Sequence, residues 1–125
     1  KRQKNSIDYD MEGYERFFSL LRPTRYRMNN GRSGRFHVGF IAQDVEEALE
    51  AAGLTSMDFA GFIKSPIHER ELPNGEADKS TPICDYGYAL RYQEFIALNT
   101  HMIQGLLARV EELERRVAEL EEEPL

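Results

Sequence analysis

The chain has 125 residues, of which 41% are hydrophobic and 30% are charged, and its formal net charge is -6. These values predict one small soluble domain and disfavour nucleic-acid or anionic-membrane partners, which attract basic proteins. The single cysteine, Cys84, excludes an internal disulfide. No apolar run is long enough to cross a membrane, and the opening is not that of a signal peptide. Because it lacks an initial Met, we expect the sequence to be a piece of a longer chain.

The first half of the chain predicts two short helices with a β-hairpin between them. Residues 11–21 carry apolar side chains at helical spacing, and residues 41–52 do so again. Residues 24–28 and 36–40 alternate in polarity and are joined by a turn rich in Asn and Gly, which predicts the hairpin. Inside its second strand, Gly39 predicts a bulge or a close approach of another group to the backbone.

The pattern between residues 54 and 82 is irregular. Residues 59–67 predict a strand, residues 72–82 an exposed loop, and residues 83–90 a last strand before a long helix.

From Tyr92 to Leu120 the apolar residues recur every seven positions, which is typical of a parallel coiled coil. The resulting seam, about 37 Å long at 1.5 Å per residue, comprises the a and d positions Ile96, Asn99, Ile103, Leu106, Val110, Leu113, Val117 and Leu120. In the same frame, Arg109 and Arg116 at g are predicted to pair with Glu114 and Glu121 at e of a neighbouring chain.

The heptads alone leave dimer and trimer open. β-Branched residues at a with Leu at d favour a dimer, whereas Met102 at g and Leu107 at e widen the apolar face and suit more strands. Asn99 at d sets register or oligomer state at some cost in stability. The alternative is a helix that packs back onto its own globular part, which the narrow seam of the last turns disfavours.

Few residue patterns point to chemistry. His37, His68 and His101 have no ligand spacing between them or with Cys84, so no metal site is predicted. No phosphate-binding loop or nucleophile elbow occurs, and no cofactor is predicted. Five arginines surround the hairpin: Arg22, Arg25, Arg27, Arg32 and Arg35. They indicate either a basic patch for an anionic partner or a solvated strand face paired to the acidic helix at 41–52, and we favour the second interpretation.

Three stretches carry a resemblance to a known family. The run H-V-G-F-I-A-Q-D-V-E at 37–46, the run Y-A-L-R-Y-Q-E-F-I-A-L at 88–98 and the opening K-R-Q-K-N-S-I resemble the endosialidase-type intramolecular chaperone domain, peptidase family S74. This domain ends bacteriophage tail spikes, tail fibres and neck appendages. The resemblance covers essentially the whole chain, and the two long runs are specific in combination rather than singly.

The resemblance implies an α+β fold and an assembly role. Residues 1–91 would form a small mixed domain with a β-hairpin and short helices, and residues 92–125 a parallel trimeric coiled coil with an acidic tail. The implied partners are two further copies and the upstream fibre or spike domain of the same polypeptide, which the trimer would fold; no nucleic acid or membrane is implied. Residues 57–82 would form an arm that grips this fibre, with Phe59, Phe62 and Ile63 as its apolar contacts, or else an ordinary core strand and loop.

The resemblance also implies autoproteolysis in cis by a Ser/Lys dyad. Aligning Arg2 and Lys4 onto the motif makes Lys4 the general base and puts the Ser two residues before Lys1, so this fragment would be the inactive released product. Ser6 does not occupy the motif position. Since an exposed Lys is protonated, Lys4 must be buried by another element or another protomer to act as a base, so we expect cleavage to wait for trimer assembly.

His37, Gly39 and Gln43 are secondary site candidates because they lie in the first signature run. Turn geometry for Gly39 and a helix-start hydrogen bond for Gln43 explain them equally well. The implied location is the host cytoplasm during phage assembly, with the domain released from or absent in the mature virion. Two other functions remain: a non-cleaving trimerisation or adhesion module, and a non-viral, membrane-anchored factor that trimerises to cleave itself.

Overall fold

The computed structural model describes residues 3–31 and 33–122 and has a mixed α+β architecture. Two small antiparallel hairpins and two short helices precede a long C-terminal helix. The sequence predicted the helices, the first hairpin and the two later strands, but not that those strands pair as a second hairpin. The elements in chain order are α1 (Tyr14–Leu20), β1 (Thr24–Tyr26), β2 (His37–Gly39), α2 (Ala42–Ala51), β3 (Phe62–His68), β4 (Ile83–Leu90) and α3 (Gln93–Glu122).

The first hairpin pairs β1 with β2, with Thr24 opposite Gly39 and Tyr26 opposite His37. Each strand has three residues instead of the predicted five. Alternation therefore located the hairpin but overestimated its length, because backbone pairing stops before the Asn- and Gly-rich turn.

The second hairpin is a longer ribbon, defined here as β3 and β4 with the loop between them. Phe62 lies opposite Leu90 at its base and His68 opposite Ile83 at its far end, with one irregularity in register after Ile67. Most side chains beyond the first pair are partly or fully exposed. Strand β4 has the predicted bounds, whereas β3 begins three residues later than predicted.

The core forms where α1, α2, the base of the ribbon and the start of α3 meet. The ring of Phe59 lies between those of Phe17 and Phe95, with centroid distances of 5.1 and 5.0 Å. The buried residues are Phe17, Val45, Ala48, Leu49, Phe59, Phe62, Phe95 and Leu98. Of the two possibilities that the sequence left open for Phe59 and Phe62, the structure supports the core strand, because both side chains complete this chain's own core.

Helix α3 packs on the core through one face and exposes another. Phe95 and Leu98, at heptad positions g and c, are 3% and 2% exposed. The apolar residues at the a and d positions are exposed to solvent along the whole helix. Near its start Ile96 is 66% exposed, and near its end Leu120 is 67% exposed. The alternative that the seam packs against its own globular part is therefore wrong, since a different stripe of the helix makes that contact.

Candidate functional site

The two signature runs meet where the first hairpin contacts the start of α3. The backbone N–H of Phe40 donates a hydrogen bond to the hydroxyl of Tyr92 at 3.2 Å, and the two rings stack with centroids 6.3 Å apart. A Cβ at Gly39 would lie 2.5 Å from the Tyr92 hydroxyl. The close approach predicted at Gly39 is confirmed, and the group that approaches is Tyr92.

His37 lies beside this contact on the solvent side. Its ring stacks on that of Tyr26, with a centroid distance of 5.6 Å and an interplanar angle of 21°. The neighbouring Tyr92 raises the pKa of Tyr26 above its usual value, first by charge repulsion and further through burial and hydrogen bonding. Tyr26 therefore stays a neutral phenol at physiological pH.

The other predicted site residues lie apart from this cluster. Gln43 is exposed in the first turn of α2 and takes no part in capping that helix. Lys4 is exposed close to the start of the chain, and no described hydrogen bond or ion pair joins it to His37 or Gln43. Arg2, which aligns with the same motif, lies outside the described residues. The role of Lys4 as general base stays a prediction.

Residues 7–12, called the N-terminal segment here, run along the beginning of α3. Asp8 and Tyr9 line a concavity of about 600 Å³ together with Ile96 and Thr100 of the helix. Two successive turns shape the segment: a carboxylate oxygen of Asp8 accepts from the N–H of Asp10, and Asp10 accepts from the N–H of Glu12, each at 2.9 Å. The predicted general base, Lys4, lies three residues before this segment, which follows the seam-bearing helix.

The arginines of the first hairpin do not pair with α2. The guanidinium carbons of Arg25 and Arg27 lie 4.2 and 4.3 Å from the centroid of the Phe36 ring. In the part of the chain that the structure describes, the ion pair of α2 joins Glu46 to Lys64 of the ribbon at 2.9 Å. The favoured interpretation of a strand face paired to the acidic helix is therefore wrong for the described arginines, and Arg32 lies outside them.

The C-terminal half of α3 carries an ion-pair network on its surface. Glu112 pairs with Arg115 at 2.6 Å and with Arg116 at 3.0 Å, and Arg115 also contacts Glu119. Hydrogen bonds from Arg115 and then Arg116 hold the pKa of Glu112 below its usual range. Arg116 thus has a partner within its own helix, which competes with the predicted pairing to Glu121 of a neighbouring chain.

Sequence reasoning did not single out Tyr92 or Tyr26. Tyr92 stood in the second signature run, but its partner Phe40 is 52 residues away, and no periodicity reports such a contact. The described residues contain no cluster of three or more His, Cys, Asp or Glu side chains that could hold a metal ion. No described helix has both the length and the apolar character that crossing a bilayer requires.

Residues 1–54 match the family model Peptidase S74, chaperone of endosialidase. The resemblance inferred from the sequence is confirmed over this part of the chain, which contains the first signature run but not the second. No curated protein matches the sequence.

Two solved structures share the fold. One, a novel intramolecular chaperone, has a TM-score of 0.63 and 19% sequence identity, covering 87% of this chain and 98% of that one. The other is the carboxy-terminal domain of the bacteriophage T5 L-shaped tail fibre with its intramolecular chaperone domain, with a TM-score of 0.52 and 16% identity. That alignment covers 94% of this chain and 30% of the fibre chain. At these identities the likeness shows the fold alone.

Proposed function

We propose that this chain is an intramolecular chaperone that trimerises, directs folding of an upstream phage fibre or spike β-structure, and is then released by autoproteolysis. The observation that carries this proposal is the exposed seam on a helix that is anchored in the core through another face, at Phe95 and Leu98. A helix gains most of its stability from burying its apolar face, so a seam that its own domain leaves in solvent calls for other copies. The family match over residues 1–54 and the shared fold support the chaperone role.

A trimer fits the width of the exposed face better than a dimer does. Leu107 at position e is 58% exposed next to Leu106 at d, which is 56% exposed. A two-stranded coil leaves e positions at its rim, whereas additional strands cover more of this surface. We therefore propose three parallel copies with Ile103 and Leu106 directed to the shared axis.

The ribbon is the surface we assign to the upstream fibre. It carries half-exposed apolar residues beyond the core, with Ile67 at 46%, Ile83 at 47% and Tyr86 at 43% exposure. A patch of this kind on a two-stranded element suits transient contact with a folding β-structure. The proposed arm accordingly includes β4 as well as the predicted residues 57–82, while its base belongs to the core.

Release would use Lys4 and a Ser that precedes Lys1. Lys4 would accept the proton of the Ser hydroxyl, whose oxygen would attack the preceding peptide carbonyl. The C–N bond to the Ser nitrogen would break as that nitrogen takes the proton from Lys4, and water would then hydrolyse the resulting ester and release the domain. In the single chain Lys4 is exposed, where a lysine is protonated and unable to act as a base. Desolvation by a neighbouring copy lowers the pKa of a lysine, so the proposed cleavage follows assembly.

The test is expression of the chain joined to its natural upstream region. We expect self-cleavage at the bond before the Ser that lies two residues upstream of Lys1, loss of cleavage in Lys4→Ala, and normal cleavage in Lys79→Ala, which removes an exposed lysine of the ribbon loop. Uncleaved trimers of both Lys4→Ala and the unchanged protein would refute autoproteolysis and favour a permanently attached trimerisation or adhesion module. The proposed site of action is the host cytoplasm during phage assembly, so the released fragment should be missing from purified virions by mass spectrometry.

A further inference from the structure

Two surfaces of opposite charge lie near the start of α3. The first, called the hairpin face, consists of Arg25, Arg27, Phe36 and Val38. The second is the N-terminal segment, residues 7–12, with its alternating sequence I-D-Y-D-M-E.

The hairpin face is basic and apolar at once. Phe36 and Val38 are 47% and 83% exposed, and both guanidinium groups lie over the Phe36 ring. The described ion pairs include neither Arg25 nor Arg27. Stacking on the ring holds these two groups side by side without neutralising them, so the face presents two fixed positive charges around an apolar centre.

The N-terminal segment has the complementary chemistry. Asp8, Asp10 and Glu12 alternate with Ile7, Tyr9 and Met11, and Ile7 and Tyr9 are 47% and 82% exposed. Val38, Tyr9 and Met57 are the only described large hydrophobic residues with more than four-fifths of their surface exposed, and two of these three belong to these two surfaces.

The helix fixes where these surfaces stand relative to the seam. At about 100° per residue, Ile96 and Ile103 point nearly the same way. Phe95 lies on one side of them, and Phe40 next to the hairpin stacks on it at 4.9 Å. Ala97 and Thr100 lie on the other side, and they share their concavity with Asp8 and Tyr9. The seam therefore lies between Phe40, the residue that follows β2, and the N-terminal segment at the same end of α3.

We propose that in the assembled protein the hairpin face of each copy receives the N-terminal segment of the next copy. When identical helices pack in parallel around one axis, the left flank of every seam meets the right flank of its neighbour. Here a basic surface would meet an acidic one, and two of the three most exposed large hydrophobic side chains, Val38 and Tyr9, would be covered. The inference rests on the proposed parallel oligomer and adds which surfaces join its copies.

This docking would also place the predicted general base. Lys4 precedes Ile7 by three residues, a span of at most about 10 Å of chain. A segment docked on a neighbouring copy would bring Lys4 to the boundary between the two copies. The proposed cleavage would then require assembly because this boundary exists only in the oligomer.

Cross-linking between two differently tagged chains tests the contact. In a Cys84→Ser background, one chain carries Tyr9→Cys and the other Val38→Cys, and the mixed oligomer is oxidised mildly. We expect disulfide-linked pairs of unlike tag, and none when Met57→Cys, at 92% exposure, replaces Val38→Cys. A trimer whose Tyr9→Cys and Val38→Cys chains link no more than that control would overturn the inference and leave the proposed function standing. A protein that stays monomeric would overturn both.

A charge exchange gives an independent measurement. Arg25→Glu with Arg27→Glu should raise the dissociation constant of the oligomer about tenfold through lost attraction and new repulsion. Arg70→Glu with Lys79→Glu on the ribbon loop is the matched control. Adding Asp8→Lys and Asp10→Lys to the first variant should restore association, and a double exchange that weakens association further would contradict the proposed contact.

Discussion

At the scale of single residues, Gly39 and Tyr92 tie the two signature runs together. Glycine at position 39 leaves room for the Tyr92 hydroxyl, which in turn accepts the backbone hydrogen bond from Phe40. His37 lies two residues before Gly39 in the same strand, and its ring stacks on that of Tyr26. The structure thus explains the first run as a surface shaped to receive the start of α3, and this explanation does not require any of these residues to take part in catalysis.

Replacing Gly39 with Ala should destabilise the domain by about 1–3 kcal/mol, because the new methyl group overlaps the Tyr92 hydroxyl. Combining Gly39→Ala with Tyr92→Phe should recover part of the loss, since the nearest ring carbon is 3.3 Å away. Gly87→Ala is the control, because its nearest atom lies at 3.9 Å. Urea unfolding at one fixed protein concentration measures the three variants, and equal stability of Gly39→Ala and the unchanged protein would contradict the close approach.

At the scale of elements, the ribbon and α3 carry the exposed surfaces. The far end of the ribbon is held by Asp78, whose carboxylate accepts hydrogen bonds from the N–H and hydroxyl of Ser80. The N–H of Asp78 itself donates to the carbonyl of Arg70 at 2.9 Å, and Thr81 contacts His68 at 2.8 Å. One carboxylate therefore orders the loop that the proposed arm presents to the fibre.

Acid should loosen this loop in a defined window. The hydrogen bonds from Ser80 hold the pKa of Asp78 below its ordinary 3.8. A lowered folded-state pKa means that the stabilisation is fully present above that ordinary value and is lost as the pH falls through the lowered one. Asp78→Asn should make the amide of Ser80 exchange faster already at neutral pH, whereas Glu76→Gln in the same loop should not. Unchanged exchange in Asp78→Asn would show that the carboxylate does not order the loop.

The seam of α3 can be tested with two single glutamates. Leu106→Glu places a charge in the proposed interface and should weaken association by about 2 kcal/mol or more per chain, because a leucine contact is lost and a charge is buried. Ala108→Glu, at position f on the outer side, should leave association unchanged. Sedimentation velocity compares them, and equal behaviour of the two variants would argue that another surface of the helix joins the copies.

At the scale of the whole molecule, the sequence was most informative where a pattern is local. Heptads located α3 within a residue of its start, and alternation located the first hairpin. The sequence could not show that α3 meets the core through Phe95 and Leu98, because the heptad marks one stripe and this contact uses another. It also left the role of Phe59 open, since a core aromatic and an exposed arm contact look alike until the chain is folded.

The residues of the candidate site also divide into those that a local pattern predicted and those that only the fold brings together. Gly39 was predicted because glycine inside a strand has few explanations, whereas its partner Tyr92 arrives from a distant part of the chain. The favoured pairing of hairpin arginines with α2 was wrong because the composition of a segment does not show which way its side chains point. Arg25 and Arg27 lie over the ring of Phe36 instead. The role of Lys4 depends on a residue upstream and on a second copy, so neither the sequence pattern nor a single folded chain decides it.

The central claim is that the exposed seam joins three copies, and the mass of the protein in solution tests it most directly. Sedimentation equilibrium across a range of concentrations should give three times the 14.5 kDa of the chain. A folded species at the mass of one chain throughout that range would contradict the account, and a stable species at twice that mass would replace the trimer with a dimer.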